Sequence, residues 1–468
     1  MASKPIEINK NKSAKIAIGK GVMRGIQKTK QETLLETVKG APENWGAWAK
    51  LAEVYASEKN WKRAISCYQK VLKGSPLSPG MKSHIGVIFA RGVRMEKAYQ
   101  LVEQAIQEEP SNQHHKLDLC RLHRYTGQYD KALALYQSVR EAIAPNIMAE
   151  TNRSNEAYVH LSAQNYVAGL TFLKESWDRG TKATALGWHK RKYKLPAWDG
   201  DDLTGRPIML TCEQGLGDGI IMLRYLPMLA AMNPDKIYVS VAKPLHRLLE
   251  NNPHVDAIMD RMDKTPVADV EVCSFDLPLF FKSTPETLPP PATFNLPKSS
   301  VKRAAKILAP YKDKLKVGVL WTGNPKFPEN HLRSFPVQQF LRLADIPNIQ
   351  MFSLYKGDMP RVLNNSPAKE QILDVSNSDR DLADSAAFME QLDLIITIDS
   401  AVAHLSGSTN TPVWCLLKHL PFWYYADGKN TPWYPDMHLF TKETPAGWAP
   451  VFKRVRAELE SFAAAHKP

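Results

Sequence analysis

The sequence predicts an α + α/β chain, with an N-terminal all-α repeat domain ahead of two α/β lobes. Three observations predict it. A residue pattern recurs at a shift of 34 positions through the first third of the chain. Beyond Trp188, short apolar runs alternate with helical stretches, the pattern of parallel sheets covered by helices. A proline-rich segment, Asp276 to Pro297, divides that second part into two series. The chain's 468 residues suffice for two or three domains, and a content of 44% apolar and 23% charged residues is ordinary for globular protein.

The first 31 residues hold eight Lys/Arg against one acid, Glu7, so over half of the net charge of +13 lies there. Such a block reads either as a solvated tail or as an arm that meets something anionic: nucleic acid, a lipid headgroup or an acidic glycan. No known nucleic-acid-binding motif accompanies it, so a nucleic-acid partner rests on charge alone. The opening "MASKPIEINKNKSAKIAIGK" lacks the apolar core of a signal peptide. No apolar run approaches the ~18 residues that a membrane span needs. The cysteines Cys67, Cys120, Cys212, Cys273 and Cys415 are scattered, with no CxxC pair. That pattern predicts reduced thiols and a cytoplasmic location, and argues against a disulfide framework or a cysteine zinc site.

The repeat comes next. Trp48 to Pro76 aligns with Lys82 to Pro110: Leu51 on Ile85, Ala52 on Gly86, Tyr55 on Phe89, Ala64 on Ala98, Tyr68 on Val102. A third copy carries Leu119, Cys120, His123, Ala132 and Tyr136, with its proline, Pro145, slipped by one. A fourth, near Ala168 and Phe172, is degenerate. Small residues at two fixed positions let paired helices approach closely, larger ones fill the groove, and the proline ends the second helix. The pattern resembles the tetratricopeptide repeat, which implies a docking surface or a scaffold that orients its neighbour.

"RKYKLPAWDGDDLTGRP" is rich in turn formers and reads as a linker. The first α/β series then runs through the strand Pro207 to Glu213, the helix Ile220 to Met232 and the strand "KIYVSV". The second runs through "KVGVLW" (Lys316 to Trp321), "IQMFSL", the helix "DLADSAAFMEQL", the strand "DLIITID", the helix "SAVAHLSGS" and the strand "PVWCLL". Two such series predict two lobes with a cleft between them. Asp384, on the helix of the second series, reads as helix-face charge.

The loop "EQGLGDGIIMLRYL" (Glu213 to Leu226) holds Gly215, Gly217 and Gly219 around an acid, Asp218. A glycine loop before a helix can cradle an anion, yet a carboxylate repels one. A dinucleotide fingerprint fails: the third glycine is one position early, and no acid closes "KIYVSV" to hold a ribose. Asp218 lies past a strand's carboxyl end at a helix start, where open α/β sheets place ligands. It reads as a general base or as a helix N-cap. "TGN" (Thr322, Gly323, Asn324) follows the strand "KVGVLW" and offers a hydroxyl and N–H groups to phosphate oxygens. Asp399 ends the strand "DLIITID", Ser400 opens the next helix, and His404 lies one turn along it. The DxD within "DGDD" (Asp199 to Asp202) sits in a turn cluster, and turn chemistry explains it without a metal. The aromatic run "PFWYYADGKNTPWYP" reads either as packing or as a stacking platform for a sugar or nucleobase.

Together "CEQGLGDGIIMLRYLPML", "VGVLWTGNP", "HLRSFP", "FSLYKGD", "LADSAAFMEQLDLIITIDSAVAHLSGSTNTPVWCLL" and "TPWYPDMHLF" resemble the ADP-heptose:lipopolysaccharide heptosyltransferase-like GT-B glycosyltransferases. The resemblance is closer to the subgroup in which tetratricopeptide repeats precede the catalytic module. It covers roughly residues 41 to 460 and implies two Rossmann-like lobes, with the acceptor mostly on the first and a nucleotide-diphosphate sugar on the second. It also implies a metal-independent, inverting transfer that needs no cofactor beyond the sugar donor.

On that resemblance Asp218 matches the family's proposed base, and Gln214, Gly215, Gly217 and Gly219 form the acceptor-side loop. Arg333 stands where the family has a donor-contacting lysine, a change that keeps charge and alters geometry. Thr322, Gly323, Asn324, Lys326, Arg333, Asp399, Ser400 and His404 are the expected donor-binding residues. Arg333 also reads as an ordinary surface arginine, and His404 as a packed histidine. The expected domains are a basic arm (1–40), the tetratricopeptide repeats (41–180), the acceptor-side lobe (181–300) and the nucleotide-sugar lobe (301–468). The expected activity is glycosyl transfer to a glycan or protein acceptor docked partly by the repeats. Two alternatives stay open: a nucleic-acid acceptor met through the basic arm, and a non-catalytic repeat scaffold.

Overall fold

The computed structural model describes residues 29–142, 150–178, 195–212, 214–260, 267–327, 329–356, 371–375, 378–425, 428–445 and 447–466. The chain forms two compact units, residues 1–76 and 77–468.

The first unit holds α1 (Lys30–Gly40), α2 (Trp45–Ser57) and α3 (Trp61–Gly74). Thr29 caps α1, and Glu32 reaches back to the Thr29 N–H, a capping box. A formed helix therefore occupies the end of the stretch assigned to the basic arm; residues 1–28 lie outside the described ones. Leu51, Ala52 and Tyr55 of α2 are buried, as are Ala64 and Tyr68 of α3, the positions that the repeat pattern singles out.

The second unit opens with three further helix pairs: α4 (Pro79–Arg91) with α5 (Met95–Glu108), α6 (Gln113–Tyr125) with α7 (Tyr129–Ala142), and α8 (Glu150–Ser162) with α9 (Tyr166–Asp178). At Gly86 an added Cβ would stand 2.6 Å from Val102 Cγ2 and 3.0 Å from the Ala98 carbonyl. The glycine is thus the condition for α4 to meet α5. In the next pair Cys120 and Ala132 are wholly buried and touch through the Cys120 thiol and the Ala132 carbonyl. In the last pair the close approach is made by Gly169, whose Cβ would stand 2.9 Å from the Ala157 carbonyl, and Leu173 is buried below it. This corrects the sequence reading, which placed the fourth copy on Ala168 and Phe172. From Ala132 and Tyr136 a fixed shift of 34 falls three residues short of Gly169 and Leu173, so the pattern alone does not set the register of this copy; Pro145 lies outside the described residues.

Two parallel sheets follow. The first has the order β3-β2-β1-β4, from β1 (Ile208–Thr211), β2 (Ile237–Val241), β3 (Ala257–Asp260) and β4 (Val270–Cys273). The second has the order β10-β9-β8-β5-β6-β7, from β5 (Leu315–Val319), β6 (Ile349–Ser353), β7 (Ile372–Asp374), β8 (Leu394–Ile398), β9 (Val413–Leu417) and β10 (His438–Thr441). Every pairing is parallel. β1, β8 and β9 are buried throughout, as an interior parallel strand with both faces covered must be. The end of the linker is not loose chain. Ala197 bridges to Glu271, Trp198 donates its N–H to the Glu271 carbonyl at 2.9 Å, and the Trp198 ring packs on Phe280.

Two braces tie these parts together. Arg247 of the first lobe bonds Asp381 at 2.8 Å and the Ser300 hydroxyl at 2.8 Å, while Ser300 and Arg380 both donate to Asp384. Asp384 is 2% exposed, which corrects its reading as helix-face charge. Of the charged groups in this network only Asp384 is fully buried; Arg247 and Arg380 are part-exposed, so the loss of either leaves Asp384 with the other. The second brace is the last helix pair. Tyr166 accepts the Trp433 indole N–H at 3.1 Å, and Lys174 of α9 pairs with Asp276 at 3.2 Å. One helix thus contacts both lobes.

Candidate active site

The first wall is the loop from β1 into α10 (Leu216–Met222). Gly215 is the N-cap of α10, and Asp218 stands at its third position and accepts the Gly215 N–H at 3.1 Å. Asp218 is therefore the reach-back half of a cap rather than the N-cap itself. Its other oxygen accepts the Tyr424 hydroxyl of the second lobe at 2.9 Å. Solvent still reaches Asp218, but protein encloses it on most sides. That burial pushes its pKa up to about 6, with Asp399 adding to the rise and the Tyr424 and Gly215 bonds opposing it. A carboxylate tuned close to neutrality takes a proton better than an ordinary one.

Gly217 explains one glycine of the loop. A Cβ there would stand 2.7 Å from His404 Cδ2 and 3.2 Å from Ala401 Cα. The close approach is between lobes: the start of α10 rests on the start of the helix Ala401–Ser406. At Gly215 a Cβ would meet Asp218 Oδ2 at 3.0 Å, and at Gly219 one would meet Leu245 at 3.3 Å. Gln214 opens the loop, half-buried.

The second wall is the loop after β5. Asn330, 8% exposed, organises it. Its side-chain oxygen accepts the Gly323 N–H at 3.1 Å and Arg333 Nε at 3.2 Å, and its amide donates to the Thr322 hydroxyl at 3.0 Å. Thr322 also meets Ser334 at 2.9 Å. The Thr322 hydroxyl and the Gly323 N–H, expected to face phosphate, are thus taken up in holding the loop. Asn324 is exposed, and its side chain accepts the Lys326 N–H at 2.9 Å in a local turn. Arg333 is half-buried rather than an ordinary surface arginine. Its Nη1 donates to the Asp399 carbonyl, its Cζ lies 4.4 Å from the Phe327 ring centre, and its Nη2 stands over Gly323. Arg333 Nη2 and the exposed Lys326 ammonium carry no hydrogen bond among the described residues.

Asp399 follows β8. Burial raises its pKa, against the lowering influence of Arg333, Lys418 and Tyr425. Ser400 spends its hydroxyl on the Val402 N–H, 3.2 Å away, as the cap of its own helix. His404 is 4% exposed and lies among Tyr424, Tyr425 and Tyr434, with its Nδ1 buried and unpaired. Burial first, then Arg224 and Arg333, pushes its pKa down to about 3, so the ring is neutral. The structure therefore places His404 as a wedge between lobes, beneath Gly217.

Asp218, Arg333, Asp399 and His404 converge on this junction, while Lys326 and Asn324 lie at the exposed tip of their loop. Asn330 and Arg224 were not singled out from sequence, and Tyr424 only as part of the aromatic run. Arg224, 2% exposed, donates to the carbonyls of Pro289 at 3.1 Å and Trp433 at 2.8 Å, pinning the crossover and the aromatic run to the first lobe. Trp423, Tyr424, Tyr425, Trp433 and Tyr434 are all buried, so this run packs. The "DGDD" carboxylates are held in turns: Asp199 accepts the Asp201 N–H, and Asp202 accepts the Thr204 N–H and hydroxyl. Among the described residues no cluster of His, Cys, Asp or Glu could hold a metal ion, and no helix is long and apolar enough to cross a membrane. All five cysteines are buried free thiols.

Tetratricopeptide-repeat family models match residues 47–80 and 94–149. The chain carries tetratricopeptide repeats ahead of two α/β lobes, each built on a parallel sheet. Protein FlbA of Caulobacter vibrioides is 26% identical over 305 residues, 58% of this chain and 50% of that protein, so the chain spans about half the length of the curated relative it matches. Among solved structures, the glycosyl transferase family 9 from Veillonella parvula DSM 2008 is 14% identical, with a TM-score of 0.42 over 52% of this chain and 87% of that one. The E. coli ADP-heptose lps heptosyltransferase II gives 14% identity and a TM-score of 0.40 over 55% and 99%. An O-GlcNAc transferase mutant of Thermobaculum terrenum gives 11% and 0.31 over 94% of both chains.

Proposed function

We propose that the chain is a glycosyltransferase that moves a sugar from a nucleotide diphosphate to an acceptor hydroxyl, with Asp218 as the general base. The observation that carries this reading is Asp218 itself: a carboxylate at a helix start, held by the opposite lobe and raised to about 6. The carboxylate takes the acceptor proton as the acceptor oxygen attacks the anomeric carbon. The anomeric C–O bond breaks, and its electrons leave with the nucleoside diphosphate. One base on the attacking side suits an inverting displacement. Arg333 Nη2 and Lys326 supply positive charge to the departing diphosphate, worth most where water is excluded. Asn330 and the Thr322–Gly323 turn hold Arg333 in place, Asp399 anchors it through its carbonyl, and His404 sets the spacing of the lobes. The acceptor is a glycan or a protein, docked partly by the repeats; the donor is a nucleotide-diphosphate sugar, and the reaction needs no metal.

The test is mass spectrometry of a nucleotide-sugar panel incubated with the full chain, with and without candidate acceptors. Hydrolysis or transfer of one nucleotide sugar, abolished in Asp218→Asn, is expected. A panel left intact under all conditions refutes the reading.

A further inference from the structure

We propose that Arg124, carried by the repeat helix α6, is a binding residue for the diphosphate of the nucleotide sugar, so that the repeats complete the donor site. The inference rests on the transferase reading above and extends it to a part of the chain that the reading does not use.

Position comes first. The Arg124 guanidinium carbon lies 5.0 Å from the ring centre of Tyr125 and 5.8 Å from that of Tyr158 on α8. The Tyr158 ring is 6.0 Å from Phe422, which is 5.2 Å from Tyr424, whose hydroxyl bonds Asp218. Three ring contacts thus lead from Arg124 to the base. The loop after α6 also touches the second lobe: a Cβ on Gly127 would stand 3.1 Å from Leu420. The charge of Glu329 also reaches Arg124 and helps to hold its pKa up. Glu329 pairs with Lys418 and adjoins Asn330, the residue that organises the Arg333 loop. Arg124 is therefore linked to the base through rings and to the loop assigned to the leaving group through the charge of Glu329.

Chemistry comes second. Arg124 Nε is buried and has no hydrogen-bond partner. The residue as a whole is half-buried, but a buried N–H without an acceptor is costly unless a ligand supplies one. Its surroundings keep it charged: burial opposes, but Tyr125 and Glu329 hold its pKa high. The guanidinium also donates a hydrogen bond to Tyr125, and that bond together with the charges of Arg124 and Arg91 lowers the Tyr125 pKa against burial. In the proposed reaction the anion that forms beside Arg333 is the diphosphate, and a guanidinium matches phosphate oxygens in pairs.

The experiment is calorimetric titration of the full chain with adenosine, uridine, guanosine and cytidine diphosphates and with the matching nucleosides. Arg124→Met keeps an unbranched apolar stem and removes the guanidinium; Arg333→Ala serves as reference. For whichever diphosphate binds the wild type, Arg124→Met should weaken binding on the order of ten- to a hundred-fold while nucleoside affinity stays unchanged. A merely structural role would move both. Glu329→Gln should tighten diphosphate binding in the wild type and not beside Arg124→Met. Should Arg124→Met bind the diphosphate as tightly as wild type while Arg333→Ala does not, this inference is overturned and the transferase reading stands. If no diphosphate binds the wild type, both fall.

Discussion

Asp218→Asn separates the charge of the carboxylate from its shape. The asparagine oxygen can still accept from Tyr424 or from the Gly215 N–H, so the loop gives up one hydrogen bond, ~1 kcal/mol. Turnover is expected to fall ~10²–10⁴-fold with donor affinity little changed. The pH dependence distinguishes a base from a bystander. Only the ionised carboxylate takes a proton, so wild-type kcat/KM should rise with pH up to a pKa of about 6 and level off above it. The residual activity of the variant should lack that limb.

Stability should follow the opposite course. The folded-state pKa is raised from 3.8 to about 6, so the unfolded chain releases this proton first as pH rises. The group's contribution to stability is full below the unfolded value and is lost as pH climbs through the folded one. The whole loss is ~3 kcal/mol, of which ~1 kcal/mol falls between about pH 5 and about pH 8. The asparagine variant has no such loss. Its stability relative to wild type, read by urea denaturation, should therefore improve by ~1 kcal/mol between those two pH values. A variant that turned over an authentic acceptor at the wild-type rate, or kept the limb near pH 6, would refute the assignment.

Arg333→Ala should weaken nucleoside-diphosphate binding by on the order of ten- to a hundred-fold in calorimetry; equal affinity would leave Arg333 as a brace for Asp399 alone. Gly217→Ala forces a Cβ to 2.7 Å from His404 Cδ2, an overpacking expected to cost ~1–3 kcal/mol and to lower turnover; His404→Ala alongside should restore part of both, and strict additivity would deny the contact. Gly86→Val should destabilise the helix pair α4–α5 by at least as much, read as a fall in Tm. Deletion of residues 1–28, which spares the Thr29 cap, should leave folding and donor hydrolysis intact while making acceptor binding less salt-dependent; superimposable salt curves would remove the basic segment from acceptor binding.

The parts of the fold that were legible are those whose signal is local. Small residues at Ala52, Gly86, Ala64 and Ala98 announce helix pairs because nothing larger fits where two helices meet. The apolar runs of β1, β2, β5, β6, β8 and β9 announce buried parallel strands. β3 (AIMD), β4 (VEVC), β7 (ILD) and β10 (HLFT) are short, and an acid or a histidine in each interrupts the apolar run. Asp384 misled because its partners Arg247 and Ser300 lie far away in sequence, and only the fold turns an apparent surface charge into a buried one. The same holds at the site. Thr322 and Gly323 carry the right chemistry to meet phosphate, but Asn330, eight residues past Thr322, takes up their groups. That use follows from how the loop closes, not from which residues it contains.

The basicity of Asp218 is a property of the junction between the lobes and not of its own loop. Within the loop it has one bond, from the Gly215 N–H, which lowers its pKa as any helix-start contact does. What raises the pKa is enclosure, and enclosure exists because Gly217 lets α10 rest on Ala401 and His404 while Arg224 fixes the Trp433 loop beside it. Neutral His404 suits that place, since a cation so close would hold the carboxylate's pKa down and weaken it as a base. Tyr424 limits the rise from the other side, keeping the group ionised near neutrality while leaving it able to accept a proton. Water admitted at this junction would bring Asp218 back toward an ordinary carboxylate. The glycine in the middle of the motif therefore serves the acid beside it: without the close approach at Gly217, the sequence would still contain Asp218, but as a poor base.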